Sequence, residues 1–159
     1  MKRLFGRYGP YWLVAAIVFA HLLLLAGCGA IVSNYDPLFY EHLVRLEEFH
    51  LDFIDEFTFE QGKEWSDEDL QSWCAQGDTL FTKAMDYELG KEKSDKNREK
   101  AISNLHGKFR DDCDFLKKRA QDGNYFFSQT LAGENRDEVM ELYKQTMDGE
   151  ESRPGGPQS

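Results

Sequence analysis

From residue 37 onward, apolar side chains recur at intervals of three and four. Phe39, Leu43, Leu46, Phe53 and Phe57, with His50 among them, fall on one side of a 3.6-residue helix, and Leu38, Phe49 and Ile54 widen that stripe. Asp36 suits an N-cap and Pro37 the first helical position, so the pattern predicts a first helix over 37–59. "SDED", Ser66 to Asp69, has the spacing of a capping box. It precedes a second stripe of Leu70, Trp73, Cys74, Gly77, Leu80, Phe81, Ala84 and Tyr87, predicting a helix that ends near 90–93. Beyond "KSDKN", with Ser94 or Asp95 as cap, Ile102, Leu105, Phe109, Cys113, Leu116 and Ala120 predict a third helix, stopped by Gly123. "NYFFSQTLA" reads as a packed loop with one helical turn. Asn135 with Glu138 then makes a cap pair for a fourth helix carrying Val139, Leu142, Tyr143 and Met147.

Four amphipathic segments with short polar connections favour antiparallel neighbours. The prediction is an all-α, up-down helical bundle over 37–148, three helices long and one shorter. No alternating strand pattern competes with it. The polar Pro/Gly run 149–159 has nothing to bury and is expected to be a disordered tail.

The first 36 residues follow another pattern. "MKRLFGRYGPYW" is cationic, and "LVAAIVFAHLLLL" behind it is apolar but interrupted by His21. It is shorter than the roughly 20 apolar residues a spanning helix needs. A cationic start, a short apolar middle and small residues before a break describe an export signal. The break, "LAGC" from Leu25 to Cys28, resembles the lipobox of bacterial lipoproteins. The resemblance implies that 1–27 is a signal peptide removed on export, that the Cys28 sulfur carries a diacylglyceryl group, and that its new amino group is acylated in turn. Two or three acyl chains hold a protein firmly where one holds it marginally. Residues 28–36 then form the lipidated cysteine and its tether. Gly29, where a retention signal would place Asp, implies the outer rather than the inner membrane in an enteric-type envelope, with the body facing the periplasm.

The chain carries a net charge of −10, and all three basic residues before Ala26 lie in the leader, so the exported part is more acidic still. An acidic body without a basic face repels phosphate backbones, which argues against nucleic acid as partner. It fits a basic protein of the envelope, or simply solubility. "KKR", Lys117 to Arg119, is a small basic spot that could face lipid headgroups or a partner.

With Cys28 assigned to lipid, Cys74 and Cys113 remain. They are equally far from the turn between the second and third helices, and both lie on apolar stripes, so a hairpin sets them at the same height. An oxidising periplasm permits a Cys74–Cys113 disulfide. Two buried thiols that merely pack are the alternative. No C-x-x-C and no local basic setting favours a catalytic thiol.

Glu47 and His50 form one E-x-x-H, the spacing that points a carboxylate and an imidazole into the core of di-iron bundles. Those proteins need it twice, and His106 has Ser103 three residues before it, so the pair is a weak metal candidate. His42 and His50 are two turns apart. A non-covalent haem on His50, His106, Met85 or Met147 is a related possibility, and the missing C-x-x-C-H excludes the covalent kind. No G-x-S-x-G or Ser/His/Asp pattern marks a hydrolase. Runs such as "DFIDEF", "RDDCDF" and "KEKSDKNREK" read as solvated faces. Phe49, Phe53, Phe57, Trp65, Trp73, Phe81, Phe109, Phe126 and Phe127 read first as core filling. The resulting expectation is a non-enzymatic binding module with no cofactor, anchored in the membrane by its lipid and meeting an envelope protein. The alternative is a haem- or metal-carrying bundle.

Overall fold

The structure, a computed structural model, describes residues 33–157. The leader 1–27, Cys28 and the first part of the tether lie outside the described residues. Four helices follow one another: α1 (Pro37–Glu56), α2 (Asp67–Leu89), α3 (Lys96–Ala120) and α4 (Gln129–Glu151). Among the described residues there is no strand, and no helix is long and apolar enough to cross a membrane. The fold is a small all-α bundle.

Local chemistry sets three of the boundaries as expected. Asp36 caps α1 by accepting from the Leu38 and Phe39 amides, and Pro37 occupies the first turn, where its missing N–H costs nothing. Ser66 and Asp69 form the reciprocal capping box at α2. Asp95, one of the two expected caps, receives the Asn97 and Arg98 amides at α3. Gly123, at φ +77°, turns the chain after α3 in a conformation that favours glycine.

The fourth boundary differs. α4 starts at Gln129, capped by Ser128 accepting from the Leu131 amide, and it is 23 residues long against 20, 23 and 25 for the others. The expected cap pair Asn135–Glu138 lies inside it. Asn135 looks like a cap by composition, but it is buried and spends its amide on Asp112, so its side chain does not compete with the helical backbone. α4 also runs past 148, and the segment expected as disordered tail is docked: the Tyr35 amide donates to the Pro154 carbonyl at 2.9 Å. α1 in turn stops at Glu56, not 59, because Phe57 and Phe59 exchange backbone hydrogen bonds with Phe127.

Contacts at the two ends fix the topology. Asp36, Glu88, Lys91, Asp95, Arg98 and Glu150 meet at one end, and Phe57, Phe59, Trp65, Phe126 and Phe127 meet at the other. The starts of α1 and α3 therefore share an end with the finishes of α2 and α4, which is up-down-up-down packing. Between the ends, Phe53 has Phe57, Phe109 and Phe127 within 6.4 Å centroid to centroid. Gly77 makes room for this core. A Cβ there would sit 2.2 Å from the Phe109 ring. The centre of each stripe is buried; Phe49, Trp73, Leu80, Tyr87, Ala120, Leu142 and Met147 are half-buried at its margins, and Leu38 is 54% exposed at the edge of α1.

Candidate functional site

The weak metal candidates of the sequence, Glu47 and His50, fall in the middle of the bundle. His50 is only 1% exposed, wedged edge-on between Phe109 and Tyr143. Its Nε2 lies 2.9 Å from the Asp112 carboxylate on α3. A carboxylate can only accept, so Nε2 carries the proton and Nδ1 keeps its lone pair. Asp112 also takes hydrogen bonds from Lys108 at 2.8 Å and from Asn135 on α4 at 2.9 Å. Burial raises the Asp112 carboxyl pKa, but the bonds from His50, Lys108 and Asn135 outweigh it and hold the group below its ordinary value. Burial lowers the His50 pKa more than Asp112 raises it, so the imidazole is held neutral. Glu47 is half-buried, and burial together with Glu48 raises its carboxyl.

Two polar atoms of this centre, His50 Nδ1 and the Tyr143 hydroxyl, are buried without a hydrogen-bond partner among the described residues. A carboxylate behind one imidazole nitrogen, with the other nitrogen open, is how proteins orient a metal-binding histidine. Among the described residues, however, no three His, Cys, Asp or Glu side chains converge. Pattern alone places Asp112, within "RDDCDF", on a solvated acidic face. It is buried instead, because three donors from three helices compensate its charge.

A denser polar cluster lies where the chain enters the body. Arg98 donates to both Glu150 oxygens, at 2.9 and 2.5 Å, and to the Asn34 carbonyl at 2.6 Å. Glu150 also accepts from the Asp36 amide at 2.8 Å. Lys91 joins Asp36 to Glu88, and Glu88 accepts from the Asp95 amide at 2.6 Å. Arg153 donates to Ser33 and to Asp95. Four carboxylates and three cations thus bind tether, helix ends and tail together. Asp36 and Asp95 sit at helix N-termini, where the macrodipole favours anions. Burial raises the Asp36 pKa, but hydrogen bonds led by Lys91 bring it below its ordinary value, and the Tyr87 hydroxyl on the same carboxylate is pushed up to about 12 by burial and by Asp36. The expected solvated tip "KEKSDKNREK" is corrected here: Lys91, Asp95 and Arg98 are spent inside this clasp.

Cys74 and Cys113 face each other with Cα atoms 6.0 Å apart and their sulfurs in bonding contact, joining α2 to α3. A shallow depression of about 330 Å³ lies against them, and a second of about 290 Å³ adjoins it, sharing Gly107 and Arg110 as lining. In the second, His106 stacks on Phe81 at 4.7 Å and holds Asp78 at 2.6 Å. Ser103 lines the same depression, yet no hydrogen bond connects it to His106 among the described residues, so the three do not form a proton relay.

No family model, no curated protein and no solved structure matches this chain at a significant level.

Proposed function

We propose that the protein is a lipid-anchored binding module of the bacterial envelope, hung from Cys28 and facing the periplasm, that works by meeting another envelope protein. The observation that carries the reading is "LAGC", closing an apolar run too short to span a bilayer. Four residues lie between Cys28 and Ser33, so the two are at most about 18 Å apart. At Ser33 the ionic clasp takes hold, so a load on the anchor reaches all four helices directly. The acidic surface supports binding to a basic protein partner.

The test has two parts. Cys28→Ser should accumulate as an unprocessed precursor, and the mature wild type should carry acyl chains on its N-terminal cysteine by mass spectrometry. Normal processing of the variant overturns the anchor. Capture of the lipidated protein from membranes after in-cell crosslinking should return a specific protein that a soluble control lacks. Capture of nothing overturns the partner.

The open Nδ1 of His50, backed by Asp112, favours a second reading, a metal- or haem-carrying bundle. Purified protein that is coloured or carries stoichiometric iron would put this reading first. Colourless, metal-free protein would reject it.

A further inference from the structure

The end of the bundle opposite the clasp is built differently. There Phe59 is 45% exposed and packs against Phe126 at 4.9 Å, and Phe126 packs against Trp65 at 5.4 Å. Two backbone hydrogen bonds hold the loops that carry them: the Phe59 amide to the Phe127 carbonyl at 2.9 Å and the Phe127 amide to the Phe57 carbonyl at 2.7 Å. Gln129 adds a third bond, to the Phe59 carbonyl at 2.7 Å. Trp65 is fixed by its indole N–H donating to the Glu56 carbonyl at 2.8 Å. The aromatic surface is therefore held rigid, which lowers the entropy cost of binding.

The loop from α1 into α2 beside it is strongly acidic, while Lys117, Lys118 and Arg119 on the last turn of α3 stand at the same end. Glu60, Glu64, Asp67, Glu68 and Asp69 are all exposed, and the side chains of Glu60, Glu64 and Glu68 make no hydrogen bond or ion pair among the described residues. The one cation of that loop, Lys63, is spent on Glu56 at 3.0 Å and lies over Trp65 at 5.6 Å. It shows the kind of contact the surface takes: a cation against an aromatic face with a carboxylate behind it.

We propose that this aromatic pole docks an arginine- or lysine-bearing segment of an envelope protein. The proposal rests on the binding function argued above and adds the place and the chemistry. Cationic heads lie on Phe59, Phe126 and Trp65, and Glu60, Glu64 and Glu68 neutralise them. Glu60, Glu64 and Glu68 set the aromatic face against an anionic lipid surface, and the vesicle comparison below decides whether Lys117, Lys118 and Arg119 at the same end outweigh them. Helices of this length also set the pole about 30–38 Å from the clasp, where the tether begins.

The probe is a labelled twelve-residue peptide alternating arginine and leucine, titrated by anisotropy onto the full lipidated chain in detergent micelles. Phe59→Ser and the triple variant Glu60→Lys/Glu64→Lys/Glu68→Lys change exposed side chains only, and unchanged far-UV circular dichroism confirms their fold. Each should weaken binding on the order of tenfold at low salt. A control reversing three exposed charges elsewhere, Glu48→Lys/Glu92→Lys/Glu141→Lys, should weaken it no more than about twofold. No peptide binding, equal loss in the control, or binding to anionic vesicles in place of the peptide each overturns the pole. A photo-crosslinker at position 59, against one at exposed Leu89, separates this from the function itself. A partner captured only at 89 keeps the function and overturns the pole, and no partner at either position overturns both.

Discussion

Arg98 and Glu150, on α3 and α4, form a two-pronged buried ion pair, 4% and 2% exposed. It closes the end of the bundle on which the N-terminal chain converges, and it uses a residue that composition alone places in a disordered tail.

Removing one partner of such a pair strands the other charge in the interior. Glu150→Ala should therefore cost about 3–5 kcal/mol, read as a fall in the urea midpoint. Truncation after residue 148 should cost at least as much, since it also removes Arg153 from Asp95 and Ser33. Truncation after 157 should leave the midpoint unchanged. A tail that could be cut at 148 without effect would contradict the clasp.

Gly77 gives a second, sterically clean prediction. A methyl group there meets the Phe109 ring at 2.2 Å and Phe49 at 3.0 Å, so Gly77→Ala should destabilise by about 1–3 kcal/mol despite alanine's better helix propensity. Phe109→Leu alone should also destabilise. In the double variant the two losses should be less than additive, because the smaller side chain vacates the space that the methyl needs.

The contrast between these sites shows what the sequence holds. Stripes such as Phe39–Leu43–Leu46 and Ile102–Leu105–Phe109 are legible because burial of apolar area is local to each helix and repeats with its period. Three caps are legible because Asp36, Ser66 and Asp95 act on amides two or three residues away. The polar interior is not. Asp112, Arg98 and Glu150 look solvated one at a time, and their burial is tolerable only through partners 52 or 62 residues away in the chain. Asn135 resembles a cap for the same reason: its partner Asp112 is 23 residues away in the chain. Of the candidate site, His50 and Glu47 were legible as a pair and Tyr143 as a core position of the fourth helix, but nothing in the pattern pointed to Asp112 or Lys108 around them. The facing of Cys74 and Cys113 was legible, since hairpin symmetry is itself a matter of counting.

The pair of cysteines makes a third prediction. A bond between residues 39 apart removes chain entropy from the unfolded state worth about 4 kcal/mol. Cys74→Ser/Cys113→Ser should lose stability of that order in oxidising buffer and should match the reduced wild type. Equal urea midpoints for the oxidised wild type and the double variant would show that the sulfurs are not bonded in solution.

The last prediction concerns acid. Burial holds the His50 pKa below its ordinary 6.5, so between that folded value and 6.5 the unfolded chain binds more protons than the native one. Stability should therefore fall as pH drops below about 6.5. Groups from α3 and α4 set the size of the effect: Asp112 and Glu138 favour the charged imidazole, and Lys108 opposes it. His42, also lowered by burial, contributes a slope of the same sign in the same window. A separate loss should begin below about 3.8, where Asp112, lowered in the folded state, is protonated first in the unfolded chain. His50→Gln keeps an N–H for Asp112 and carries no titratable ring. It should flatten most of the slope just below pH 6.5 and leave the acid limb in place. Thermal unfolding followed from pH 8 to pH 3 distinguishes the two windows. A His50→Gln curve parallel to wild type between pH 5 and 6.5 would mean that this imidazole is charged in the folded protein, contrary to the burial argument.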